Sequence, residues 1–309
     1  MSTRTAAWPQ SISIIGAAGL VGSSAAASMA TLAIGEDLYL QDRRDHLVEA
    51  HRIDLSDAQA VLGVDRPRIH AGSPDGPVDL VVVAASLPET PDGDRREFLA
   101  ANAQLLASLA GQIRREAGEE GLVLLLTNPV DILADWLHRH HSFPADRLIG
   151  YALNDSARFR LAIARELSAE VSSVTAGVLG EHGKGQVPIF SSVRVDGKPV
   201  AWPDGAIDRV RADVDGWFDR WSRLKPGRSS GWASGSGVMH LVRTLAAGDE
   251  VITTASTAGI EDLPETFMAL PTRLSDGRPR TALPDLSRQE LSALQAAGET
   301  IRQTSLSLT

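Results

Sequence analysis

Short apolar runs alternate with longer segments of helical spacing through the first half of the chain. Ser11-Ile12-Ser13-Ile14-Ile15 reads as a buried strand, and the alanine-rich stretch 23–32 after it reads as a helix. A strand is predicted at 37–41, then a helix with apolar spacing at 46–61. Further strands fall at 68–71, 79–84 and 122–126, with a long helix at 95–116. Pro88, Pro91 and Gly93 mark 86–94 as a loop. Nearly all-apolar strands that alternate with helices predict a parallel sheet covered on both faces. Residues 1–150 are therefore expected to form a doubly wound α/β domain.

Beyond Gly150 the strict alternation stops. A helix at 155–168 leads to strands at 173–179 and 186–195, and Asp196-Gly197 signals a hairpin. Helices are predicted at 207–221 and 236–246, and shorter strands at 250–254 and 266–270. Ser287 and Glu290 have capping-box spacing ahead of a last helix that runs to about residue 303. This mixture predicts an α+β substrate domain over 151–309. No repeat or low-complexity linker separates it from the first domain, so the two are expected to pack as one unit.

Composition narrows the partners. The 309 residues are 43% hydrophobic and 22% charged, enough for two domains sharing a cleft. A formal charge of −9 argues against nucleic acid and anionic membrane surfaces. With 0 Cys, thiolate metal sites and cysteine nucleophiles are excluded. The first ten residues lack an apolar core and 25–34 is too short to span a bilayer. A soluble, cytoplasmic protein is expected.

Candidate chemistry starts at Gly16-Ala17-Ala18-Gly19-Leu20-Val21-Gly22. These glycines follow a strand and open a helix, and Asp42 stands 20 residues beyond Gly22 at the end of the second strand. That conjunction is a dinucleotide (Rossmann) fingerprint, here with two residues between each glycine pair. Gly16 permits the tight turn, Gly19 the approach of a pyrophosphate, and Gly22 helix packing. The phosphates rest on amides at the helix start, at Leu20 and Val21. Asp42 favours NAD by accepting from ribose hydroxyls; Arg43 and Arg44 leave NADP as the alternative.

Downstream, Arg95 stands where the Pro/Gly loop meets the long helix, and Asn128-Pro129-Val130-Asp131 follows a buried strand. Asp155 and Arg158 share a helix face, and Gly180-Glu181-His182-Gly183 follows another strand. Singly, these read as well as a helix arginine, a turn asparagine, a surface ion pair and a loop histidine. Together and in this order, with Asp155-Ser156-Ala157-Arg158-Phe159 and Phe267-Met268-Ala269-Leu270-Pro271, the sequence resembles the lactate/malate dehydrogenase family over nearly its whole length.

The resemblance implies an NAD-dependent oxidoreductase acting on a small 2-hydroxy or 2-oxo acid, assembled as a homodimer or homotetramer. It implies that His182 takes the hydroxyl proton as hydride leaves for the nicotinamide, and that Asp155 fixes the tautomer of His182. Arg158 grips the substrate carboxylate with a bidentate fork. Arg95 polarises the carbonyl. Asn128 bonds the reacting oxygen and borders the cofactor, with a cis bond to Pro129. His138, His140 and His141 end a helix and are expected to be dipole partners in solvent, not a metal site.

One departure bears on the substrate. Glu89 falls where the family sorts substrates, with arginine in malate enzymes and usually glutamine in lactate enzymes. A glutamate there repels a second carboxylate, so a polar tail without a carboxylate is expected. Asp92 and Asp94 make the loop more acidic, and Ser230, small and near the second specificity position, leaves room for the tail. Alternatives are malate or lactate dehydrogenase proper, an isomerase that retains its cofactor, and a dinucleotide-binding protein without catalysis.

Overall fold

The computed structural model describes residues 8–87, 95–227 and 230–308. Glu89, Asp92 and Asp94 lie outside them, and of Arg95 only the backbone is described. The first half builds β1 (Ser11–Ile15), α1 (Leu20–Thr31), β2 (Asp37–Gln41), α2 (Asp45–Leu62), β3 (Arg68–Ala71) and β4 (Leu80–Val83). There follow α3 (Arg95–Ala117), β5 (Leu122–Leu125), α4 (Val130–His141), β6 (Leu148–Tyr151) and α5 (Leu153–Glu166). The six strands pair in parallel in the order β3-β2-β1-β4-β5-β6. β4 and β5 are buried at every residue, as strands covered on both faces must be.

The second half adds β7 (Val174–Thr175), β8 (Val178–Gly180), β9 (Gln186–Pro188), β10 (Arg194–Val195) and β11 (Lys198–Pro199). Helices α6 (Ala206–Asp215), α7 (Trp217–Arg223) and α8 (Gly231–Ala246) precede β12 (Val251–Ser256), β13 (Phe267–Ser275), β14 (Arg278–Thr281) and α9 (Arg288–Leu306). β12 pairs antiparallel with β6, and β13, β8 and β9 continue outward, so the α+β half extends the same sheet. β7, β10 and β11 form a separate small sheet, turned at Asp196-Gly197 with both residues at positive φ. It covers a core of Phe159, Ile163 and Val210.

Three differences from the expected elements have physical causes. β6 was not expected; its short Leu-Ile-Gly-Tyr run contains Gly150, whose added Cβ would lie 2.5 Å from Val130 Cγ2 and 2.7 Å from Thr254 Cβ. The strand expected at 186–195 is interrupted by a 3-10 turn at Phe190–Ser192. The single helix expected at 207–221 is two, α6 and α7, broken at Gly216. The capping box forms: Ser287 accepts from the Glu290 amide, and Glu290 accepts from the Ser287 amide. Among the described residues no helix is long and apolar enough to cross a membrane.

Candidate active site

The candidate residues gather beyond the ends of β1, β2, β5, β6 and β8. Gly16 follows β1 with φ +92° and presses on the turn after β4, where a Cβ would come within 2.4 Å of the Ala85 nitrogen. Gly22 packs onto Gly16 itself: a Cβ there would sit 2.3 Å from the Gly16 carbonyl oxygen. Gly19 is the N-cap of α1, and the amides of Leu20, Val21 and Gly22 form its first turn, with no carbonyl four residues back inside the helix.

Asp42 ends β2 and is ionised. Burial alone would raise its pKa, but the bonds from Arg44 outweigh this and lower it. Arg44 donates from its amide at 3.1 Å, from Nε at 3.0 Å and from Nη2 at 3.2 Å. Arg44 is thereby spent on Asp42 and does not stand free for a phosphate. Helix-start amides without an intrahelical partner, a close-approach glycine and an ionised strand-end acid fit a dinucleotide without a 2′-phosphate.

The turns after β4 and β5 are tied by Thr127 Oγ1, which donates to the Ala85 carbonyl at 2.8 Å. Asn128 follows, exposed, with a cis bond to Pro129. Three residues on, Asp131 is buried in the first turn of α4 and accepts the His182 amide at 2.5 Å. Its other oxygen accepts from Thr254 Oγ1 at 2.6 Å. Burial dominates these bonds and pushes Asp131 up to about 6. One carboxylate thus fastens the turn after β8 to α4 and β12.

His182 Nδ1 lies 2.5 Å from Asp155 Oδ2. Asp155 Oδ1 accepts from Arg158 Nη1 at 3.0 Å. Burial pulls the His182 pKa down, but the charge and hydrogen bond of Asp155, with the charge of Asp131, outweigh it and raise the value. Burial likewise pushes Asp155 up, and His182 and then Arg158 bring it below the ordinary carboxylate value. The Nδ1 contact leaves Nε2 as the nitrogen that can exchange a proton with a ligand. Burial also lowers the Arg158 pKa, which leaves it a cation.

Ser230 is the N-cap residue of α8, whose next residue, Gly231, packs on Leu20 of α1. Tyr151 donates to Asn154 Oδ1 at 2.9 Å, and Asn154 Nδ2 donates to Ser234 Oγ at 3.1 Å, joining α5 to α8. Arg95 opens α3, while Asn102 in that helix accepts the Leu87 amide at 2.9 Å. His138 contacts the Phe143 carbonyl through Nδ1, and His140 and His141 lie against the Trp136 ring. Thr254, Asp131 as a clamp and Trp217, whose ring centroid lies 3.5 Å from Arg158 Cζ, were not legible in the sequence.

Residues 10–150 match the profile of the lactate/malate dehydrogenase NAD-binding domain, and 153–210 that of the alpha/beta C-terminal domain. L-lactate dehydrogenase A of Hordeum vulgare is 32% identical, the alignment covering 94% of this chain and 85% of that protein. The chain belongs to the lactate/malate dehydrogenase family. The malate dehydrogenase of Thermomicrobium roseum is 30% identical over 94% of this chain and 96% of its own. Family membership makes the chain an NAD-dependent dehydrogenase acting on a CH–OH donor. The fold matches the crystal structure of Cryptosporidium parvum malate dehydrogenase with a TM-score of 0.88 at 23% identity, covering 97% of this chain and 99% of that one.

Proposed function

We propose that this family member interconverts a 2-hydroxy acid and its 2-oxo acid, with His182 as acid/base, Asp155 as its orienting carboxylate and Arg158 as the carboxylate grip. The observation that carries this is the shared Asp155, which bonds imidazole and guanidinium through different oxygens. NAD, when bound, supplies the two-electron acceptor. Gly16, Gly19, Gly22 and the amides of Leu20 and Val21 hold its pyrophosphate, Asp42 its ribose. In oxidation the neutral Nε2 takes the substrate hydroxyl proton; in reduction the imidazolium returns it to the carbonyl oxygen. Asp155 stabilises that imidazolium, and Asn128 and Arg95 polarise the same oxygen.

The substrate tail is polar and carries no second carboxylate. Glu89 at the sorting position supports this, since a second carboxylate held against it would be repelled by a few kcal/mol, about a hundredfold bias. Ser230, being small, leaves room for the tail. Initial rates followed by NADH absorbance with lactate, malate and polyhydroxy 2-hydroxy acids test the assignment. Preference for malate would overturn the tail, and silence with every 2-hydroxy acid would overturn the reaction. The reading includes a cytoplasmic homodimer or homotetramer, as the family resemblance implies. Light scattering of the eluted protein tests the assembly.

A further inference from the structure

The guanidinium of Arg158 lies on an aromatic ring as well as beside a carboxylate. Its Cζ is 3.5 Å from the centroid of Trp217, which opens α7 immediately after the break at Gly216. Trp217 is itself backed by Trp221, one turn on, with ring centroids 5.6 Å apart and planes within 10°. At Gly216 a Cβ would meet the Ala212 carbonyl at 3.0 Å, so a larger residue would crowd the turn that redirects α7.

These contacts leave the guanidinium a defined set of free directions. One face is covered by indole, and Nη1 is directed to Asp155. A planar fork binds a carboxylate bidentately only when the two are close to coplanar, and stacking restricts the rotation that would spoil this. The quadrupole of an indole face attracts the cation without consuming an N–H donor. A second carboxylate beside Arg158 would have restrained it too, but by competing with the substrate for those donors.

We infer that Trp217, backed by Trp221, is a positioning residue that holds the Arg158 guanidinium in plane to receive the substrate carboxylate. The inference rests on the assignment of Arg158 as the carboxylate grip. Its effect belongs to substrate binding: the carboxylate is held alike in ground and transition states, so KM should move and kcat should not. The ring, not the indole N–H, does the holding, so phenylalanine should substitute.

The test compares wild type, Trp217→Leu and Trp217→Phe as full-length protein, using the 2-oxo acid the wild type reduces best. Trp217→Leu is expected to raise the KM for that acid about tenfold, leave kcat within threefold and leave the KM for NADH unchanged, with Trp217→Phe within threefold of wild type. An unchanged substrate KM in Trp217→Leu, an equal rise in both KM values, or failure of Trp217→Phe to recover would overturn the inference. If Trp217→Leu does not fold, tryptophan emission decides between wild type and Trp217→Phe in the presence of NADH. Oxamate, which carries the carboxylate and cannot accept hydride, should then change wild-type emission and leave Trp217→Phe unaltered; the same change in both, or none in wild type, overturns the inference. A wild type that turns over no 2-oxo acid refutes the proposed function on which the inference rests.

Discussion

Replacing Asp155 by asparagine removes one charge that serves two cations and keeps the shape of the side chain. Asp155 is buried, and His182 and Arg158 are each only about one-fifth exposed, so water screens the interaction weakly. A unit pair about 4 Å apart in an effective dielectric near 20 interacts by about 4 kcal/mol, which corresponds to about a thousandfold in rate if lost wholly from the imidazolium-like transition state. The Asp155→Asn enzyme should therefore lose about two to three orders of magnitude in kcat/KM while its circular dichroism is unchanged. Asp155 is the chief cause of the raised His182 pKa, so the midpoint of the pH profile for 2-oxo acid reduction should move to lower pH. The assay is NADH consumption across the pH range at saturating cofactor. A kcat/KM within fivefold of wild type, or an unmoved midpoint, would refute the assignment of Asp155 as the partner that tunes His182.

Three further outcomes are expected. Asp131 titrates near 6 in the folded protein against 3.8 as the ordinary value, so its stabilising contribution is complete below about pH 4 and lost as pH rises through 6. Urea unfolding of Asp131→Asn should show the difference from wild type shifting by about 3 kcal/mol in favour of the variant between pH 4 and 7. Gly22→Ala drives a methyl into the Gly16 carbonyl, so it should cost about 1–3 kcal/mol in stability and weaken NADH binding more than tenfold by fluorescence titration. Glu89→Arg should raise the ratio of kcat/KM for oxaloacetate to that for pyruvate about a hundredfold; an unchanged ratio would mean that residue 89 does not face the tail.

The parallel half of the fold was legible because each strand is a nearly unbroken apolar run and the turns need glycine where backbones touch. Gly16 and Gly22 announce that contact in the sequence, and Ser287 with Glu290 announces a helix start just as locally. β6 was missed because its four residues carry little pattern and a glycine that ordinarily argues against a strand. Gly150 is there for room, not flexibility, since Val130 and Thr254 close over it. Thr254 reaches Asp131 across 123 positions, and Trp217 reaches Arg158 only because Gly216 breaks a helix whose apolar spacing runs on past the break. Periodicity reports neither kind of neighbour. The order of motifs singled out His182, Asp155 and Arg158, which the fold brings together, while the clamp on the turn of His182 and the ring against Arg158 are products of the tertiary fold.

With Arg158 as the proposed carboxylate grip, the two-sided Asp155 would also make substrate affinity and proton affinity reciprocal quantities. Arg158 neutralises part of the Asp155 charge while its Nη1 is bonded there. A substrate carboxylate that draws this donor toward itself returns that charge to His182 and strengthens its hold on a proton. By linkage, protonating His182 must favour binding of the oxo acid to the same extent. On these proposed roles substrate and proton would arrive as a cooperative pair, joined through a single buried side chain.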